Sequence, residues 1–369
     1  MAAPGPVART VVVKVGTSSI TDERGYIVEA AIGKLCSEVA LLRAQGRQVI
    51  IVTSGAIAAG LRVLGIHPRP SDPSVLQAVS AVGQSRLMSH YERALEASGL
   101  VGGQVLLAAL DFVNRAQYLH ARQTLWLLLG LGVVPIVNEN DAVTDDEIRF
   151  GDNDRLAALV AHLVQADLLV LLTDAAGLLT ADPRTDEDAS LVEEVVEVDA
   201  VLALAGGAGS ERGSGGMASK LAAAKMAAWS GVGVVIASAE RPDVLLDAVA
   251  GTPGVGTFIK PRQARLPARK LWIAFALAPA GTVVVDAGAK KALTERGVSL
   301  LPAGVRDVRG DFAADEAVEV AGPDGEVFAK GLVRHSAKAL AEWMGRQTSV
   351  LPPEMPAEVV HRDDLVILP

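Results

Sequence analysis

Apolar residues arrive along this chain in short blocks set between longer amphipathic stretches. Thr10–Val15, Gln48–Thr53, Val101–Leu107, Val133–Val137, Asp167–Thr173 and Val232–Ser238 are rich in β-branched residues or leucine. Most are apolar at nearly every position rather than at every second one. Continuous apolar runs of this length predict strands buried on both faces, as in a parallel sheet. Between them, Glu29–Gln45, stopped by Gly46, and Asp152–Gln165 read as helices. Strands interleaved with helices of that length predict an α/β fold, a three-layer α/β/α sandwich around a mostly parallel sheet.

The texture changes after Lys260. The stretch PRQARLPARK is basic, contains proline and lacks apolar periodicity, so 263–281 reads as a linker. Beyond it, TVVVDAG, AVEVAG and EVFAKGLV are short β-like runs punctuated by glycine, and HRDDLVIL reads as a closing tail. The expected organisation is one domain over 1–262 and a small β-rich domain with its tail over 282–369. The longest apolar run, Leu125–Val137, holds two glycines and a proline and is shorter than the roughly 20 residues a membrane helix needs. The opening MAAPGPVARTVVVKVG lacks the apolar core of a signal peptide, so the expectation is a cytoplasmic protein with no membrane role.

Composition narrows the choice of partners. With 50% apolar and 21% charged residues in 369, disorder and coiled coil are excluded. The net charge of −9 lies wholly in residues 1–260, because 261–369 hold 14 basic and 14 acidic residues. That balance argues against whole-chain binding to nucleic acid or an anionic membrane. Cys36, the lone cysteine, excludes an internal disulfide and sits among Ile32, Leu35, Val39 and Leu42 as a buried thiol. The six histidines are scattered without metal-ligand spacing, so no zinc site is expected.

The unusual polar residues gather at strand ends, where open α/β sheets bind ligands. The first strand ends in Lys14-Val15-Gly16-Thr17-Ser18-Ser19, the second in Thr53-Ser54-Gly55-Ala56. Two later ones end in Asn138-Glu139-Asn140-Asp141 and Thr173-Asp174. Turn chemistry alone could explain any single end; four together indicate a shared cleft. A lysine finishing a buried strand needs an anion. The loop GGAGSERGSGG (206–216) precedes the helical MASKLAAAKMAAW, so free N–H groups and Lys220 could meet a phosphate, although a flexible surface loop is an equal reading. Gly151-Asp152-Asn153-Asp154 opens a helix with three polar residues where a cap needs one. Two lysines, a glycine loop and several carboxylates suit phosphoryl transfer.

These segments carry a resemblance. VVVKVGTSSI, IIVTSGAIAAG, AVGQSRLM, PIVNENDAV, GDND, LLTDAAGLLTADPR and GSGGMASK together resemble the glutamate 5-kinases of the amino-acid kinase superfamily. From about Thr282 to Trp343, VDAGAKKALTERGVSLLPAGV is similar to a PUA domain. The resemblance implies the amino-acid kinase fold and phosphorylation of the L-glutamate side-chain carboxylate by ATP, opening proline biosynthesis. It implies that Lys14 and Lys220 neutralise the moving phosphoryl group and that Asp154 holds both ammonium groups. Ser54, Asn138, Asp141, Asp152 and Asn153 would bind glutamate. Lys14, Gly16, Thr173, Asp174 and the segment Ser214, Gly215, Gly216, Met217, Ala218, Ser219 and Lys220 would hold the nucleotide. Mg²⁺ would come with ATP, bound through its phosphates rather than in a protein cage. L-Proline as inhibitor, a homodimer or homotetramer and hand-over to glutamyl-phosphate reductase are further implications.

The alternative within the superfamily is a kinase for another carboxylate, a carbamate or a nucleotide. A role on RNA through the C-terminal domain is the rival of a different class. Residues 282–360 carry 9 basic against 12 acidic residues and the chain is 4% aromatic, the reverse of an RNA-binding surface. No nucleic-acid partner is expected.

Overall fold

The computed structural model describes residues 8–112, 114–143, 153–181, 186, 188–205, 216–262, 266–275, 277–347, 352 and 356–368. Contacts divide the chain into two units, Met1–Arg265 and Leu266–Pro369.

The first unit begins β1 (Thr10–Val15), α1 (Thr17–Ile20), α2 (Glu29–Ala44), β2 (Gln48–Val52), α3 (Ala56–Leu64), α4 (Pro73–Ala97) and β3 (Gly102–Leu107). It continues α5 (Arg115–Gly130), β4 (Val134–Glu139), α6 (Asn153–Leu163), β5 (Leu168–Thr173) and β6 (Glu194–Val195). It closes with α7 (Met217–Trp229), β7 (Gly233–Ser238), α8 (Val244–Ala250) and β8 (Gly256–Ile259). Eight strands form one sheet in the order β3-β4-β2-β1-β5-β7-β8-β6, parallel at every step except β7–β8. Six of them match the six apolar blocks to within two residues at either end. The short strands β6 and β8 were not predicted: two and four residues leave too little pattern to read.

Side chains alternate across the sheet. Val11, Val13 and Val15 join Leu35, Leu87, Tyr91 and Leu245 in one buried cluster under α2, α4 and α8. Val12 and Lys14 therefore face the opposite layer, which holds α6 and α7. Here α/β/α layering is a direct product of strands that are apolar on both sides.

One helix crossing sets the position of the site. α4 starts cleanly, with Asp72 accepting from Ser74 N–H at 2.9 Å and Pro73 at its first position. It then presses against α3 at two glycines. A Cβ on Gly83 would lie 1.8 Å from the Ala56 carbonyl oxygen, and one on Gly60 2.0 Å from that of Val79. Only glycine permits that approach, and it carries the α4 side chains Ser80 and Gln84 down to the ends of β2 and β4.

The second unit contains α9 (Ala268–Phe275), β9 (Gly281–Val285), α10 (Ala287–Arg296), β10 (Val305–Gly310), β11 (Ala317–Ala321), β12 (Val327–Val333), α11 (Ala337–Trp343) and β13 (Val360–Ile367). Its mixed sheet has the order β10-β9-β11-β12-β13 around a core that includes Val283, Phe312, Val320 and Phe328. Two expectations change. The stretch read as linker holds α9, which buries Leu271, Trp272 and Ile273; the Lys330 ammonium donates to the carbonyls of Ala274 and Leu277 at its C-terminal end. The tail is a strand, β13, paired antiparallel with β12.

Candidate active site

Lys14 is the fifth residue of β1 and only 4% exposed. A buried ammonium needs an opposite charge, and α6 supplies one. Asp154, second residue of that helix and wholly buried, places Oδ1 2.6 Å from Lys14 Nζ and Oδ2 3.2 Å from Lys220 Nζ. Lys220 comes from the first turn of α7, which packs on α6. Each carboxylate oxygen thus takes one ammonium. Burial pushes the Asp154 carboxyl upward, but the charges and hydrogen bonds of Lys14 and then Lys220 outweigh it and hold the group below the usual carboxylate range. Two positive charges against one negative leave a net positive centre for a polyanion. Gly16 keeps the neighbouring space open: a Cβ there would come within 3.7 Å of Lys14 Nζ.

Asn153, the residue before Asp154, turns to the other side. Its Nδ2 donates to the Thr53 carbonyl, to Ser54 Oγ at 3.1 Å and to Asn138 Oδ1 at 2.7 Å. Asn138 Oδ1 also accepts from the Glu139 N–H at 2.9 Å. These residues meet because β2 and β4 are neighbours in register, Val52 opposite Val137, so their carboxyl ends emerge side by side. Asp141, just beyond β4, accepts from Ser80 Oγ at 2.5 Å. Thr53 and Tyr91 share a 2.8 Å hydrogen bond beneath the cluster.

On the far side of β1, the β5 register sets Val15 opposite Leu172 and so brings Thr173 level with Gly16. Thr173 Oγ1 donates to Asp174 Oδ1 at 3.0 Å, and Asp174 is exposed. α7 starts at Met217 behind Gly216, an extended residue with no side-chain cap. Met217, Ala218 and Ser219 form its uncapped first turn. Helix N-termini of this kind favour anions.

The sequence-predicted residues therefore fall into three groups around the ends of β1, β2, β4 and β5. Lys14, Asp154 and Lys220 touch; Ser54, Asn138 and Asn153 are linked, with Asp141 nearby in sequence; Gly16 adjoins Lys14, Gly216–Ser219 lead into Lys220, and Thr173 finishes β5 level with Gly16, followed by Asp174. Asp152, Ser214 and Gly215 lie outside the described residues. Ser80, Gln84, Thr53 and Tyr91 were assigned no role from the sequence. Ser80 and Gln84 are one turn apart on α4 beside Val79, Gly83 and Leu87, a polar pair on a buried face that the helical period would have isolated.

Comparison with known proteins follows the same lines. Residues 9–238 match the model of the amino acid kinase family, and residues 281–351 match the PUA domain. The glutamate 5-kinase of Burkholderia multivorans is 48% identical over 366 residues, covering 98% of this chain and 98% of that protein. That of Burkholderia cenocepacia is 48% identical over 367 residues, with 98% of each chain covered. That of Burkholderia vietnamiensis is 47% identical over 367 residues, again with 98% of each covered. Among the described residues, no helix is long and apolar enough to cross a membrane.

Proposed function

The chain belongs to the amino acid kinase family and, within it, to the glutamate 5-kinases, and from that premise we propose that it transfers the γ-phosphoryl group of ATP to the side-chain carboxylate of L-glutamate. The products are L-glutamyl 5-phosphate and ADP, the first step toward proline. The observation that carries the reading is Asp154, one buried carboxylate holding Lys14 and Lys220 on its two oxygens.

A carboxylate oxygen of glutamate forms the new bond to the γ-phosphorus as the bond to the bridging oxygen of ADP breaks. The nucleophile is already anionic, so no general base is required. The obstacle is charge, since a carboxylate must approach a polyphosphate. Lys14 and Lys220 offset the charge on the transferring group, and Asp154 fixes both ammonium groups before substrate arrives, which is electrostatic preorganisation. Ser54, Asn138, Asp141, Asp152 and Asn153 take the amino acid, with Asp141 suited to its ammonium group. Gly16, Thr173, Asp174 and residues 214–220 take the nucleotide. Mg²⁺ brought with ATP would screen the phosphates and be held mainly through them and water.

L-Proline would compete for the glutamate site, the chain would self-associate through residues 1–262, and the labile acyl phosphate would pass to a glutamyl-phosphate reductase. The chemistry is placed in 1–262, with residues 282–369 structural or regulatory and the whole enzyme in the cytoplasm. The test is trapping: ATP, Mg²⁺ and L-glutamate with hydroxylamine yield the γ-hydroxamate. Rates on aspartate, N-acetylglutamate and UMP are measured alongside, and hydroxamate from aspartate alone, or from no amino acid, overturns the assignment.

A further inference from the structure

We infer that Gln84 is a positioning residue of the acceptor site, whose side-chain oxygen anchors Asn138 and, through it, Asn153. The inference rests on the reading above, in which those two asparagines bind the amino acid.

Gln84 lies on α4, 8% exposed, and its Oε1 accepts from Asn138 Nδ2 at 2.8 Å. Asn138 is 3% exposed, and among the described residues its Nδ2 has no other partner. Its Oδ1 is occupied by the Glu139 N–H and by Asn153 Nδ2. Three amides therefore run in one direction: Asn153 donates to Asn138, and Asn138 donates to Gln84. Without the last oxygen, the Asn138 amino group would be a buried donor with nothing to meet. Such a group moves toward water or another acceptor, and the oxygen that receives Asn153 would move with it.

The other end of Gln84 marks what the residue is for. Its Nε2 is buried and makes no hydrogen bond among the described residues. Gln84 is thus used here for its oxygen alone. At the opposite end of the chain of amides, Asn153 directs Nδ2 at Thr53, Ser54 and Asn138. Among the described residues Oδ1 accepts no hydrogen bond, and it is an acceptor suited to an ammonium group. Ser80, one turn earlier on α4, donates its hydroxyl to Asp141 Oδ2. One helix, pressed into place at Gly83, supports two of the acceptor-binding side chains from behind.

The experiment compares wild type, Gln84→Met and Gln84→Glu by steady-state kinetics in both substrates, with melting temperatures. Met keeps the length of the side chain and removes the oxygen; Glu keeps an oxygen for Asn138 and exchanges the unused amino group for a second oxygen, which carries a negative charge when ionised. For Met, KM for glutamate rises at least about tenfold, while kcat and KM for ATP stay within about threefold, the pattern of lost substrate binding. For Glu, KM for glutamate stays within about threefold of wild type. The inference is overturned if Met leaves KM for glutamate unchanged. It is equally overturned if Met and Glu degrade kcat and both KM values together with a common fall in melting temperature, which is a structural role. A wild type that makes no glutamyl hydroxamate instead overturns the reaction assigned above, and the same three proteins then test Gln84 on the acceptor that is phosphorylated.

Discussion

Lys14 and Lys220, one from the first strand and one from a helix in the second half of the chain, occupy the two oxygens of a single buried carboxylate, at 2.6 and 3.2 Å. Neither lysine can leave Asp154 without exposing a buried charge, so the two ammonium groups are a matched pair set before ATP binds.

Replacing either lysine with methionine removes one of the two positive charges that the proposed function sets against the phosphoryl group. Loss of a single preorganised charge-stabilising donor costs roughly 10²–10³ in kcat. Each variant is expected to fall by at least that factor while its circular dichroism spectrum stays that of the wild type. Turnover near the wild-type rate in a folded Lys14→Met or Lys220→Met would remove that residue from the catalytic set.

Asp154→Asn leaves two buried ammonium groups facing a neutral amide. Removing one partner of a buried ion pair costs roughly 3–5 kcal/mol, so the variant melts well below wild type at pH 7. The sign of the pH dependence follows from the lowered pKa of Asp154. A depressed carboxyl contributes stability above its unfolded pKa and loses it as pH falls through the folded value. The gap in melting temperature between wild type and variant therefore narrows below about pH 4, near the ordinary aspartate pKa. A gap that is constant from pH 7 to 3 contradicts this account.

Gly83→Ala places a methyl group 1.8 Å from the Ala56 carbonyl oxygen. Overpacking typically costs about 1–3 kcal/mol, and here the obstruction is backbone rather than a flexible side chain. Urea unfolding is expected to show at least about 2 kcal/mol of destabilisation. Stability equal to wild type would mean that α3 and α4 can separate without penalty.

Cys36 is fully buried on α2, and burial pushes its thiol pKa up to about 12. Only the thiolate reacts readily. Ellman's reagent at pH 8 should leave the native protein unlabelled and release one equivalent after unfolding. Rapid labelling of folded protein would place Cys36 outside the core.

L-Proline should raise the apparent KM for glutamate with kcat unchanged, the pattern of competition for one site. A wild-type enzyme whose rate at limiting glutamate is unmoved by millimolar proline lacks this control.

What the sequence disclosed depended on where each residue sat. Strands buried on both faces must be apolar throughout, so β1, β2, β4, β5 and β7 are legible as blocks, and their polar ends stand out by contrast. Lys14 was conspicuous because an ammonium interrupts such a block. Ser80 and Gln84 were less so, because a polar residue midway along a 25-residue helix has the look of its solvated face until its spacing from Val79, Gly83 and Leu87 is followed. α9 was hidden by the surrounding Pro, Arg and Lys residues, although Leu271, Trp272 and Ile273 are its buried anchor. β13 was hidden by His361-Arg362-Asp363-Asp364, a polar stretch in a strand that buries only Val360, Leu365 and Val366.

The ion cluster also dictates a timetable. A ribosome releases Lys14 first and Asp154 much later, and Lys220 follows Asp154 by 66 residues. At roughly 5–20 residues per second, the second oxygen of Asp154 waits on the order of 3–13 s for its ammonium. During that interval α6 also lacks α7, the helix it packs against. A nascent chain halted there would carry the strand lysine and the carboxylate but no complete charge cradle. On the proposed function, catalytic competence therefore has no partial version during synthesis; it arrives with the last of these three residues.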